Sequence, residues 1–287
     1  MGIIKFKDSL YRGSISYDRI AYLQEQIAKS KDYIVNLEIS DSGRIGLPFV
    51  FLIGTLPLFG NTQGKKVRIF ASHKLYRLLS RINIVDYYMY KDANKEIDAE
   101  GLLKTKAFRE IKKASDIITF VNEMNMEVPI NITDAQSDIL TSRVGEIFQN
   151  ALEHAKAKII IGGKYYKNVK NGYCFSCYDS GVGIVNNVKT YIEKTQKVIV
   201  SDKEALEWAM KKGHSTRENG NSGGVGLSLL RDFALENGFS IRICSGKVFY
   251  SLNGRGKEGI SSLDNGFSGT LFEIDIITDR LMTESVL

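Results

Sequence analysis

The chain has 287 residues, enough for about two domains at roughly 150 residues each, and its 43% hydrophobic and 25% charged residues are ordinary globular usage, which excludes a disordered, collagen-like or disulfide-scaffold protein. Lys and Arg number 39 against 33 Asp and Glu, and the excess is scattered: residues 1–130 hold 20 basic and 15 acidic side chains, residues 131–287 hold 19 and 18. No basic run interleaved with aromatics occurs, so nucleic acid is not an expected partner; three cysteines and no basic-then-apolar leader point to a reducing cytoplasm.

In chain order, DYIVNLEIS (32–40) has the aliphatic density of a buried strand, and LPFVFLIGTLPLF (47–59) reads as a buried helix. KKVRIFAS (65–72) reads as a strand, and HKLYRLLSRI (73–82) as a helix with Leu75, Leu78, Leu79 and Ile82 on one face. The result is a βαβα alternation. Ile45 to Gly64 is uncharged, but Pro48, Pro57, Gly46, Gly54, Gly60, Asn61 and Gln63 interrupt it. Its apolar part falls short of the roughly 20 residues a spanning helix requires, so a buried helix and loop is expected and no membrane span. Residues 102–124 space apolar groups at helical intervals, and Pro129 marks a boundary between a first domain, 1–128, and a second, 129–287.

The second half opens on Thr133 and Gln136, a capping box ahead of a helix that runs to about Ala155. AKIIIGGKYY (157–166) and YCFSCYDS (173–180) read as strands joined through the hairpin step Asn171-Gly172, which makes the sheet at least partly antiparallel. Cys174 and Cys177 then fall on opposite faces of their strand, which argues against a metal pair. Ser201 and Glu204 form a second capping box before a helix that Gly213 ends. A helix over 225–237 stops at Gly238, and FSIRICS, KVFYSLN and GTLFEIDII supply three further strands.

Four elements of this half carry chemistry. Glu146 and Asn150, four apart on one helix, project from the same face; a carboxylate and an amide oxygen so placed could activate water and hold a hard cation such as magnesium. Asp179, at the end of an apolar strand and followed by Gly181 and Gly183, could accept a hydrogen bond from an exocyclic amine while the glycines let the backbone turn closely. GHSTRENGNSGGVGLSLL (213–230) is a glycine-rich loop entering a helix, where free N–H groups and the helix dipole favour phosphate. Gly269-Thr270 opens the last strand with a hydroxyl near the same place. Asn150 to Asp179 is 29 residues, Asp179 to Gly224 is 45, and Gly226 to Gly269 is 43.

This ordered set resembles the GHKL superfamily of ATPases over residues 129–287. The resemblance implies a C-terminal Bergerat-fold α/β sandwich, a mixed sheet covered by helices, preceded by a smaller α/β domain. It implies ATP and Mg as cofactors: Asn150 as magnesium ligand, Asp179 as reader of adenine, Gly181 and Gly183 shaping the pocket, and Thr270 supporting the adenine contact through water. Gly213 to Gly224, with Arg217, would form a lid, and Gly223, Gly224, Val225, Gly226 and Leu227 would bring the next helix's N-terminus to the phosphates. Glu146 would be the general base. His154 in NALEHA resembles the anti-sigma-factor serine kinases, while a polar helix residue is the plainer reading. A transducer domain of the kind that gives gyrase-like and mismatch-repair members a γ-phosphate lysine is not expected here.

Residues 15–90 resemble, less specifically, a STAS-like regulatory domain, with Asp41-Ser42-Gly43 in ISDSGRIGL making Ser42 the candidate phosphoacceptor. The function expected is magnesium-dependent ATP binding with slow hydrolysis, lid closure coupling nucleotide state to an interaction domain. A serine/threonine protein kinase of the anti-sigma type and a non-hydrolysing ATP-gated binding module are the alternatives. A protein partner or a homodimer is expected, since GHKL proteins often dimerise.

Overall fold

The computed structural model describes residues 2–11, 13–40, 44–71, 96–97, 108–127, 133–167, 172–216 and 226–277. The first half alternates strand and helix: β1 (Gly2–Phe6), α1 (Gly13–Lys29), β2 (Ile34–Ile39), α2 (Leu47–Thr62), β3 (Lys66–Ala71) and β4 (Glu96–Ile97). β1, β2 and β3 pair in parallel, and β4 adds antiparallel to β3. IVNLEI alternates: Val35, Leu37 and Ile39 point into the core with Phe6 of β1 and Val67 and Ile69 of β3, while Glu38 pairs with Lys5 of β1 on the more exposed face.

The second half builds β5 (Phe108–Glu110), α3 (Ala114–Glu127), α4 (Asp134–His154), β6 (Ile160–Lys167), β7 (Gly172–Asp179), α5 (Ile184–Gln196), α6 (Asp202–Ala209), α7 (Gly226–Glu236), β8 (Ser240–Leu252) and β9 (Glu258–Ile277). Its five strands lie in the order β5-β6-β7-β9-β8, antiparallel at every pairing. The protein is therefore α/β, a helix-covered five-stranded sheet with a smaller α/β unit before it; parallel and antiparallel pairings mix in the first sheet, not the second.

Strand alternation sends Tyr173, Phe175 and Cys177 of β7 to one core, under α3 to α7, and Cys174 and Tyr178 to another. That second core is shared with the first half. α1 and α2 lie on the opposite face of the five-stranded sheet, their Tyr17, Ile20, Phe49 and Phe51 in one cluster with Ile161, Cys174, Phe249 and Leu271. α2 is uncharged and buried almost all round, as a helix enclosed by protein should be. It touches both sheets: Gly60 meets Val67 of β3, and Phe51 fills the space over Gly163 of β6. A polar seam runs beside this contact, where Tyr17 donates to the fully buried Glu273 (2.6 Å) and Arg242 donates to Asp275 (2.5 Å).

Several expectations hold. Both capping boxes are formed, Thr133 with Gln136 and Ser201 with Glu204, and Ile45 to Gly64 is a buried helix and turn. Among the described residues, no helix is long and apolar enough to cross a membrane.

Others are corrected. Apolar spacing over 102–124 predicts one helix; instead Phe108–Glu110 is a strand paired with β6, and the helix starts at Ala114 and packs on α4. The two segments expected as separate strands, FSIRICS and KVFYSLN, form one strand, β8, because Gly246 is a bulge rather than a turn. The helix expected to run to Gly213 ends at Ala209 with Met210 as its C-cap. β1, α1 and α5 had not been singled out at all, although Val185, Val188 and Ile192 of α5 carry a helical period. The expected helix 73–82, Asp41-Ser42-Gly43, Pro129 and Asn171 lie outside the described residues.

Candidate functional site

α4 supplies one wall of a cavity of about 260 Å³. Leu140, Val144, Phe148 and Ala151 form its buried stripe, with Phe148 edge-on to Phe120 of α3 (centroids 5.0 Å apart). Seating that stripe turns Glu146 and Asn150 to the margin of the helix, and both line the cavity. Arg143 donates to one Glu146 oxygen (3.0 Å), while the other, Oε2, is shielded from solvent and has no hydrogen-bond partner among the described residues.

The floor is the sheet. Cys177 and Asp179 of β7, Ile243 of β8, and Thr270 and Phe272 of β9 point into the cavity. Burial pushes the Cys177 thiol well up, so it stays protonated and acts as a small apolar group. Asp179 sits opposite Thr270 in register and is only 5% exposed. It accepts from the Gly181 N–H (2.9 Å) and from Thr270, and the Thr270 hydroxyl in turn accepts from the Ile184 N–H (3.0 Å) that starts α5. Burial outweighs these bonds and raises the Asp179 carboxyl from 3.8 to about 6.

Two glycines make this geometry possible. Gly269 has φ +88° and lies against the Asp179 carbonyl, where a Cβ would collide with backbone. Gly183, at φ +80°, forms the N-cap of α5 and leaves no room for a Cβ against the Gly269 carbonyl. Gly181 approaches the Ala155 carbonyl, to which the next amide, Val182, donates (2.8 Å).

The remaining wall is α5, α6 and the segment after it. Trp208 of α6 is held by Tyr191 of α5 (5.6 Å) and meets the His214 ring at 4.6 Å. Trp208, His214, Ser215 and Thr216 all face the cavity, and His214 Nδ1 is shielded with no hydrogen-bond partner among the described residues. Leu227, one residue into α7, closes the lining.

Of the residues expected at the site, Glu146, Asn150, Asp179, Gly183, Leu227 and Thr270 line one cavity. Gly181 acts beneath it by holding Asp179; Gly213, at φ +82°, precedes the lining segment His214 to Thr216. Gly226 is the first residue of α7. Arg217, Gly223, Gly224 and Val225 lie outside the described residues. Trp208, Asn187, Val188 and His214 line the cavity and had not been singled out. The helical period of α5 could have indicated the middle two; nothing local marks Trp208, the single tryptophan, as a wall residue.

An apolar cavity with one buried carboxylate at its base suits a flat ligand that presents an amine N–H to it. Its volume, about 260 Å³, is a little below the roughly 300–1,000 Å³ of small-molecule sites. Oxygen donors at Glu146 and Asn150 fit a hard cation that keeps most of its ligands from water or phosphate. Among the described residues, no group of three or more His, Cys, Asp or Glu could hold a metal alone. No protein-family model matches the chain, and no curated protein matches it in sequence.

Proposed function

We propose that this cavity binds ATP with magnesium and hydrolyses it slowly, as a member of the GHKL type. One observation carries the reading: six residues expected at the site from the sequence motifs and their resemblance to the GHKL pattern, spread from Glu146 to Thr270, line a single cavity around a buried carboxylate. Asp179 accepts the exocyclic amine of adenine, which guanine does not present at that position. Phe272, Ile243 and Val188 exclude water from the base. Asn150 supplies a side-chain oxygen to magnesium, which when bound offsets phosphate charge. Glu146, with one oxygen fixed by Arg143, has its second oxygen to take a proton from the attacking water. The α7 N-terminus at Gly226 is the phosphate-facing part.

Incubation with γ-labelled ATP and magnesium tests this directly, with Trp208 fluorescence as an independent report of binding. Label released as free phosphate is the expected result. Label transferred to protein would support the serine/threonine kinase reading instead. Label left in ATP, with Trp208 quenched, would leave an ATP-gated binding module. Absence of any Trp208 response or binding would remove the nucleotide assignment. The partner that reads nucleotide state is a protein, or a second copy of this chain.

A further inference from the structure

One of the residues that hold the pocket's β9 segment in place comes from the first half of the chain. Thr270 pairs with Ser245 across the β8–β9 ladder, and Phe267 pairs with Gly246, so Ser268 and Gly269 form an extra, bulged pair of residues on β9. This bulge sets Gly269 against the Asp179 carbonyl and delivers Thr270 to the Asp179 carboxylate. Ser245 holds it from one side by donating to the Gly269 carbonyl (2.9 Å). From the opposite face of the sheet it is held by Gln24 of α1, which is fully buried. Gln24 accepts from the Ser268 N–H (2.9 Å), donates to the Ser268 carbonyl (3.4 Å) and donates to the Tyr178 hydroxyl (3.3 Å). It therefore grips the residues adjoining both Asp179 and the Gly269-Thr270 step at once.

We propose that Gln24 is a positioning residue for base recognition, reaching the site from α1 of the first half. This rests on the nucleotide reading above. Gln24 touches no ligand; it acts by fixing the bulge that orients Thr270 and, through Thr270, the Asp179 carboxylate. A lost side-chain grip on both peptide groups of Ser268 frees the bulge to shift, and the hydrogen-bond geometry at Asp179 loosens with it.

The test compares ATP and GTP binding, read by Trp208 fluorescence, in the full chain and two variants. Gln24→Met keeps the volume and removes all three hydrogen bonds. Asp18→Ala removes a separate α1–β9 clamp, in which Asp18 accepts from the Asn265 backbone and side chain (2.8 and 2.9 Å). In Gln24→Met the ratio of ATP to GTP affinity is expected to fall about tenfold, while Asp18→Ala lowers thermal stability and leaves the ratio alone. Should Gln24→Met not fold, Gln24→Asn, whose amide is one methylene too short, is expected to lower the ratio in the same direction. An unchanged ratio in the folded Gln24 variant overturns the proposal. An equal fall in Asp18→Ala also overturns it, by making the effect a general one of interface loosening. If the unaltered chain binds no ATP, the nucleotide reading fails instead, a distinguishable result.

Discussion

Asp179 is the residue whose chemistry can be followed furthest. In the unfolded chain its carboxyl titrates near 3.8, and burial raises it to about 6 in the folded protein. The folded state thus binds this proton more tightly, so stability is lost as pH rises from about 4 to about 6 and is level above that, by about 3 kcal/mol for a shift of roughly two units. Asp179→Asn removes the penalty: the nucleotide-free variant is expected to melt higher than the parent at pH 7.5, and the two to converge near pH 4. Ligand binding runs the other way. An amine donating to Asp179 favours the ionised form, so ATP affinity is expected to fall below about pH 6 in the parent. In Asp179→Asn it should be weaker above about pH 6, by about 1.5–3 kcal/mol, with that pH dependence gone and GTP little affected. A flat ATP profile in the parent would dissociate Asp179 from the base. Glu146 separates binding from chemistry: Glu146→Ala should retain ATP while phosphate release drops about 10²-fold or more. Undiminished release in that variant would place the base elsewhere.

At the scale of elements, strong local signals were legible in sequence and contextual ones were not. The two capping boxes, the alternation of β7 and the uncharged α2 each follow from nearest neighbours and were readable. The short β5 was not, because three residues carry no period of their own and exist as a strand only by pairing with β6. Gly246 reads as a turn because nothing nearby in sequence reveals that β9 continues opposite it. The glycine pair of β6 is a similar case. On one face the Phe120 ring of α3 occupies the space over Gly162; on the other the Phe51 ring of α2 occupies the space over Gly163. Each glycine is thus the seat of a helix. Gly163→Ala is expected to push α2 outward and Gly162→Ala to push α3, each costing about 1–3 kcal/mol of stability by overpacking. Thermal or denaturant melts check this. A change in Gly163→Ala much smaller than 1 kcal/mol would show that Phe51 yields without moving its helix.

Across the whole molecule, the division at residue 128 meets a core that does not divide there. β5 and α3 precede it in sequence yet pair with β6 and pack on α4. The opposite face of the five-stranded sheet, with Ile161, Cys174, Tyr178, Cys244, Phe249, Leu263, Phe267 and Leu271, is covered by α1 and α2. Each of the Ile, Leu and Phe side chains among them is worth about 1.5–3 kcal/mol on burial, so together they rival the about 5–15 kcal/mol by which whole proteins are stable. Removing the first half would also strip Glu273 of the Tyr17 hydroxyl that donates to it, opening a buried charged seam to a surface of exposed apolar side chains. Residues 108–287 alone are therefore expected to aggregate or melt far below the full chain, and the full chain to unfold in one transition, with Trp208 fluorescence and far-ultraviolet circular dichroism coinciding. Two separated transitions would make the halves thermodynamically independent. A single one means that any ligand stabilising the cavity stabilises the first sheet by the same amount, the coupling a nucleotide signal between the halves requires.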